Sequence, residues 1–179
     1  EDALALVKKG DYWGFINKSG QVVVSIGLKD ALPFSGCRAL IKKKHRFGYL
    51  DLTGKTIIPV RFVDARSFSN GRARVMLNRK WGFIDRSGAF VIHPRFEDAG
   101  EFSEGAARVK VGTTWGFVDS TGKTIVEPRF EGVEDFREGL ARVKIGGRFG
   151  FINRLGAYAV LPLYENASSF SEGYAAVQY

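Results

Sequence analysis

The stretch that decides the fold is "ARVKVGTTWGFVDSTGKTIVEPRF", residues 107–130. It opens by alternating small or apolar side chains with basic ones, Ala107-Arg108-Val109-Lys110-Val111. That period of two marks a half-buried strand, with Ala107, Val109 and Val111 on the inner face. "WGFVD" (115–119) alternates again, Trp115, Phe117 and Asp119 on one face, Gly116 and Val118 on the other. "TIVEP" (124–128) is β-branched and ends in a proline. "GTT" and "DSTGK" between these runs are turn signals. Asp119 can bond its own backbone two residues on, and Gly122 can supply a positive φ. The stretch predicts three short antiparallel strands.

It is one copy of a pattern. An aromatic-glycine pair recurs at Trp13-Gly14, Phe47-Gly48, Trp81-Gly82, Trp115-Gly116 and Phe149-Gly150, each step being 34 residues. Phenylalanine keeps the same register at Phe34, Phe68, Phe102, Phe136 and Phe170, and alanine at Ala5, Ala39, Ala73, Ala107, Ala141 and Ala175. A 34-residue period also belongs to helical repeats, so length alone does not choose a class. No long run keeps a 3.6-residue period without a glycine or proline, which excludes paired helices. The segment after the third strand, "RFEDAGEFSEG" (95–105), carries Phe96, Ala99 and Phe102 as an apolar skeleton and reads as an irregular loop or one helical turn.

The expectation is therefore an all-β, pseudo-symmetric array of antiparallel hairpins or three-stranded units, curved or closed into a propeller-like ring. One domain holds five copies, at 3–36, 37–70, 71–104, 105–138 and 139–172, with a sixth copy of the first strand at 173–179. One unit cannot bury its apolar face alone, and stacking on neighbours supplies the core. The terminal copies of the first strand could stand as edges or complete a partner's sheet, so oligomerisation through them is open.

These columns resemble the WG repeat family, also called KWG repeats, found mainly in bacterial proteins. The shared pattern is WGFIxxxG, an apolar strand, then PRFExAxxFSEGxAxV, over almost the whole chain. Departures fall at Phe47 and Phe149 for tryptophan, at Cys37 for the SEG glycine, and at "LPLY" (161–164) for the PRF element. The resemblance implies a repeat module from a bacterial cell, either cytoplasmic or secreted to the envelope.

Few residues carry chemistry. The 45% hydrophobic content is that of a folded chain, and no apolar run is long enough for a transmembrane helix. The start Glu1-Asp2-Ala3 suggests a processed protein or an excised segment. A single cysteine, Cys37, gives no disulfide framework. His45 and His93 fall in different columns, with no HxxxH or CxxC spacing. Loop acids such as Glu97, Asp98, Glu101 and Glu104 lack calcium-loop spacing, and the glycines form no phosphate loop. The expectation is a chain that is not an enzyme and takes no metal or cofactor. Phenylalanine in place of Trp13, Trp81 or Trp115 favours packing over sugar stacking at that column.

Basic residues carry the remaining signal. Arg74, Arg108 and Arg142 share a column, Lys8, Lys42, Lys110 and Lys144 another, and Arg61, Arg95 and Arg129 a third. The arginines recur with loop acids, so bonds to glutamates or to carbonyls of the next repeat are expected of them. "KKKHR" (42–46) is the sharpest basic cluster, in a chain of net charge +8. Two functions follow. The first is a scaffold that binds another protein. The second is binding of an anionic polymer, nucleic acid or cell-envelope glycan, through Lys42, Lys43, Lys44, Arg46, Lys110 and Lys144.

Overall fold

The computed structural model describes residues 4–179, which form strands and turns without a helix. The chain divides into two compact units, Glu1–Pro94 and Arg95–Tyr179. In the first unit β1 (Ala5–Lys9), β2 (Tyr12–Ile16) and β3 (Val22–Leu28) make an antiparallel sheet in that order. A second sheet holds β4 (Asp30–Ser35), β5 (Arg38–Lys43), β6 (Arg46–Leu50) and β7 (Thr56–Phe62). A third holds β8 (Asp64–Ala65), β9 (Ala73–Leu77), β10 (Lys80–Ile84) and β11 (Phe90–Phe96), the unit boundary falling within β11.

The second unit repeats the plan. One sheet runs β12 (Asp98–Ser103), β13 (Ala106–Val111), β14 (Thr114–Asp119), β15 (Thr124–Phe130). The next runs β16 (Gly132–Val133), β17 (Ala141–Ile145), β18 (Arg148–Ile152), β19 (Tyr158–Tyr164). A final pair joins β20 (Asn166–Ala167) to β21 (Val177–Gln178). The sixth copy of the first strand thus pairs as the other copies do, with the segment preceding it.

Two sequence expectations need correction. The segment expected as a loop or helical turn is a strand, β12 in full and β8, β16 and β20 in shortened form. It pairs with the first strand of the following copy, Asp98 opposite Lys110 and Ala99 opposite Val109. The complete sheet accordingly has four strands rather than three, one of them from the copy before. The helical-looking spacing of Ala99 and Phe102 comes from a bulge between them, which adds a residue to the strand's period of two. Val111, expected on the buried face, is 46% exposed because it lies at the tip of the β13–β14 hairpin.

The turn chemistry is as the sequence expects. Asp119 Oδ1 accepts from the Thr121 and Lys123 amides at 2.9 and 3.0 Å and from the Thr121 hydroxyl at 2.6 Å. Asn17, Asp51, Asp85 and Asn153 cap their own turns through the same two amides. The glycine that closes this turn has φ of +89° at Gly122, where a Cβ would be strained.

The glycine after each aromatic has a different role. Strand three bulges opposite it: Phe149 pairs with Tyr164 and Phe151 with Val160, so one residue of β18 faces three of β19. The bulged backbone leans onto Gly150. A Cβ there would sit 2.7 Å from both Pro162 N and Val160 O, and one on Gly48 would sit 2.7 Å from Ile58 O. Pro162 costs no ladder bond at such a bulge.

Packing between successive sheets uses the next ring along. Phe117 meets Phe136 at 4.6 Å, Phe151 meets Phe170 at 4.8 Å, Tyr49 meets Phe68 at 5.0 Å and Phe15 meets Phe34 at 4.8 Å. The second ring of each pair lies in the segment that feeds the following sheet. In the first unit Leu40, Tyr49, Ile58 and Phe62 of the second sheet share one buried cluster with Ala65, Val75 and Ile84 of the third. In the second unit Phe117, Val126 and Phe130 share one with Ala141, Val143 and Ile152. Burying one such ring contributes roughly 2–3 kcal/mol.

Two measurements follow from these contacts. Gly48→Ala or Gly150→Ala meets strand-three backbone that can yield only by moving the sheet, and should destabilise by about 1–3 kcal/mol in urea unfolding. An unchanged midpoint would show that the bulge yields. The Asp51, Asp85 and Asp119 carboxyls are held below the usual range first by the hydroxyls of Thr53, Ser87 and Thr121, with the backbone amides adding to it. A depressed carboxylate stabilises fully above its unfolded value, near pH 4, and that contribution is lost as pH falls through the folded value. The triple variant D51N/D85N/D119N, keeping the cap that Asn17 and Asn153 already make, should therefore show a flatter fall of Tm with acid below about pH 4.

Candidate binding groove

The basic columns are first of all part of the frame. Each lysine of the column lies over the ring opposite it across the hairpin: Lys8 over Trp13 at 5.4 Å, Lys42 over Phe47 at 5.1 Å, Lys110 over Trp115 at 5.8 Å, Lys144 over Phe149 at 5.2 Å. Arg74, Arg108 and Arg142 approach the ring of their own copy, at 4.8, 6.0 and 5.0 Å. Cations therefore cover the aromatic column, each contact being worth of order 0.5–1 kcal/mol at such sites.

The arginines also tie copies together. Arg142 pairs with Glu134 at 2.6 Å and donates to the Ala167 carbonyl, while Arg108 lies 3.4 Å from Asp135. Arg95 and Arg129 donate to the carbonyls of Gly122 and Gly156, 27 residues on, at 2.7 and 2.9 Å. Carboxylates do likewise: Glu104 accepts from the Gly139 amide at 3.0 Å, and Glu138 accepts from the amides of Glu172 and Gly173 at 2.7 and 2.9 Å. The expectation that the arginines bond acids and neighbouring carbonyls describes this geometry.

The "KKKHR" cluster behaves differently. It occupies the β5–β6 turn of the first unit, where Lys44 takes a φ of +55°. Lys42, Lys43, Lys44 and His45 line one side of an open groove of about 590 Å³, and Gly27, Leu28, Lys29 and Asp30 line the other. Among the described residues no carboxylate stands within ion-pair distance of Lys29, Lys43 or Lys44. Asp30 stands opposite Lys42 in the β4–β5 ladder. Arg46 turns away, donating to the Arg61 carbonyl at 3.3 Å. Lys110 and Lys144 belong to the second unit and lie on their own rings. Of the six candidate contacts, the groove brings together Lys42, Lys43 and Lys44.

A second concavity, of about 270 Å³, adjoins the first and shares Asp30 and Lys42 with it. Its walls are Ala31, Leu32, Leu40, Ile41, Phe47, Ala65 and the end residue Arg66. Leu32 is 43% exposed there. Arg66 is anchored by Asp64 at 2.6 Å.

Lys29 and Leu32 were not singled out by sequence, although the repeat marks both. The Lys29 column holds Val63, Glu97, Glu131 and Glu165 in the other copies, and the Leu32 column holds Arg66, Gly100, Glu134 and Ser168. In the second unit Glu131 reaches its own hairpin turn, accepting from the Gly147 amide at 3.3 Å, and Glu165 meets Arg148 at 3.3 Å. Lysine in the first copy reverses the charge facing the turn. Comparison of columns, rather than of neighbours along the chain, is the signal that finds it.

The geometry defines an all-β repeat protein, built from about 34-residue units whose sheets borrow a strand from the copy before. The chain belongs to the WG containing repeat family, whose sequence profile matches at residues 13–44, 47–81, 81–112, 115–149 and 149–179. Among solved structures, one titled "Crystal structure of the eukaryotic initiation factor" is similar in fold, with a TM-score of 0.58 at 11% identity. The likeness covers 94% of this chain and 55% of that one. No curated protein matches the chain in sequence at a significant level. No helix among the described residues is long and apolar enough to cross a membrane.

Crowding of Lys29 with Lys43 and Lys44 should cost stability at low salt. Lys29→Glu, which installs the residue of three other copies, should raise Tm at 20 mM NaCl, and the gain should shrink at 0.5 M as screening shortens to a few ångströms. Identical Tm values for the variant and the parent protein at both salts would show that the turn feels no such field.

Proposed function

We propose that the chain is a non-enzymatic binding module that recognises another protein through the groove where the first copy meets the second. One observation carries this reading: the copies agree wherever they pack and differ where the groove lies. Lys29 stands where three other copies carry glutamate and Lys44 where three carry glycine, and both line the same concavity. Residues that merely build the array would have no reason to diverge together at one place.

The rest of the sequence supports a binding role over catalysis. His45 and His93 fall in different columns, and Cys37 occupies a turn with φ of +62° that the other copies give to glycine. Repeat arrays commonly present surfaces for recognition. The second reading is an anionic polymer, favoured by the +8 net charge and by Lys29, Lys43 and Lys44, which have no carboxylate partner among the described residues.

Affinity capture from the source cells, with nuclease-treated and untreated extracts at 0.1 and 0.5 M NaCl, separates the two. The expected result is a discrete protein retained after nuclease by the parent chain and lost by the K29E/K43I/K44G variant. Retention of nucleic acid or glycan alone, abolished at 0.5 M salt, would replace the protein reading by the polymer one.

A further inference from the structure

The two adjoining concavities differ in chemistry, and the difference specifies an occupant. One end is basic: Lys29, Lys43 and Lys44, with Lys42 at the junction, present ammonium groups with only Asp30 among the groove's acids. The other end is apolar, walled by Ala31, Leu32, Leu40, Ile41, Phe47 and Ala65. We infer that the groove takes an extended acidic segment of a partner protein, one aliphatic side chain seated beside Leu32 and carboxylates lying along Lys29, Lys43 and Lys44. The inference rests on the protein-binding reading and gives that partner its chemistry.

Charge complementarity sets the sign of the partner. Lysines are compact point charges that attract carboxylate and phosphate alike, so they fix the partner's sign, and the apolar end has to fix its class. The apolar end argues against a nucleic acid strand, which binds by stacking bases on exposed rings. At the apolar end the ring is Phe47, which is half-buried and already covered by Lys42 at 5.1 Å, and His45 is the ring at the basic end. Leu32 and its neighbours offer aliphatic contact, for which a leucine, isoleucine or valine side chain is the matching shape. The bulge that carries Leu32 and Pro33, between Ala31 and Phe34, swings Leu32 off the ladder and leaves it exposed.

The repeat supplies controls that keep the fold. K29E, K43I and K44G each install a residue that another copy carries at that column, and Gly fits the positive φ of Lys44. L32S installs the residue of the last copy at the apolar end. Far-UV circular dichroism and Tm confirm folding for each before binding is read.

The test is fluorescence anisotropy on the full chain with four labelled probes: an acidic dodecapeptide of Asp and Glu with a central leucine, the same peptide with alanine in place of leucine, a dodecathymidylate, and a heparin-derived hexasaccharide. The leucine peptide should bind tightest, the alanine peptide roughly tenfold more weakly because one aliphatic burial is lost. L32S should remove that tenfold difference. K29E/K43I/K44G should weaken both peptides by at least tenfold and flatten their salt dependence. Affinity that follows probe charge alone, with no difference between the leucine and alanine peptides, would overturn the inference in favour of a polyanion surface. Absence of peptide binding would overturn it as well. If the cellular protein is nevertheless captured, and K29E/K43I/K44G still releases it, the protein-binding reading stands while the acidic-segment assignment falls.

Discussion

Everything in this architecture hangs on one close approach, that of strand-three backbone to the glycine after each aromatic. Because Gly150 has no side chain, Val160 and Pro162 can lean over β18, and the bulge this creates turns the strand toward the next copy. Only with that lean does the segment after strand three arrive where it can pair with the following first strand. Any Cβ at the glycine would meet backbone on the far side, which has no flexible atom to give way. The aromatic beside it is held from above by lysine, by arginine or by both, so the tryptophan and phenylalanine copies are interchangeable as long as a ring is present.

A second layer of connection is carried by polar groups rather than rings. The arginines of strand three reach carbonyls of the next Asx-Gly turn, and the glutamates of the EG turns reach amides of the next EG turn. Each kind of bond recurs from copy to copy, which is why acids and arginines recur together as parts of the frame. Charge that looks functional in one copy turns out to be mortar when five copies are compared.

The β character, the turns and the copy number were legible because they rest on local signals: alternation in "ARVKV", a capping Asp119, a glycine at Gly122. The fourth strand was not, since the bulge at Gly100–Glu101 stretches the spacing of Ala99 and Phe102 to three and imitates a helix. Pairing with a strand of the next copy is a long-range fact that no window of sequence contains. At the groove, Lys42, Lys43 and Lys44 stood out as a run, whereas Lys29 is a single lysine thirteen residues upstream of Lys42. What brings it to the cluster is the β3–β4 corner meeting the β5–β6 turn. Arg46, adjacent in sequence, is held instead by the Arg61 carbonyl.

The prolines of strand three have a bearing on colloidal behaviour. In each four-stranded sheet this strand is the outermost, and Pro59, Pro94, Pro128 and Pro162 delete an amide from an edge that would otherwise template a neighbour. β3 is the exception. It reads Val22-Val23-Val24-Ser25-Ile26-Gly27-Leu28, without a proline, and exposes Val22 by 56%. The same bulged strand that builds every sheet is thus also its guard against uncontrolled strand addition, and the first copy carries the curve without the guard.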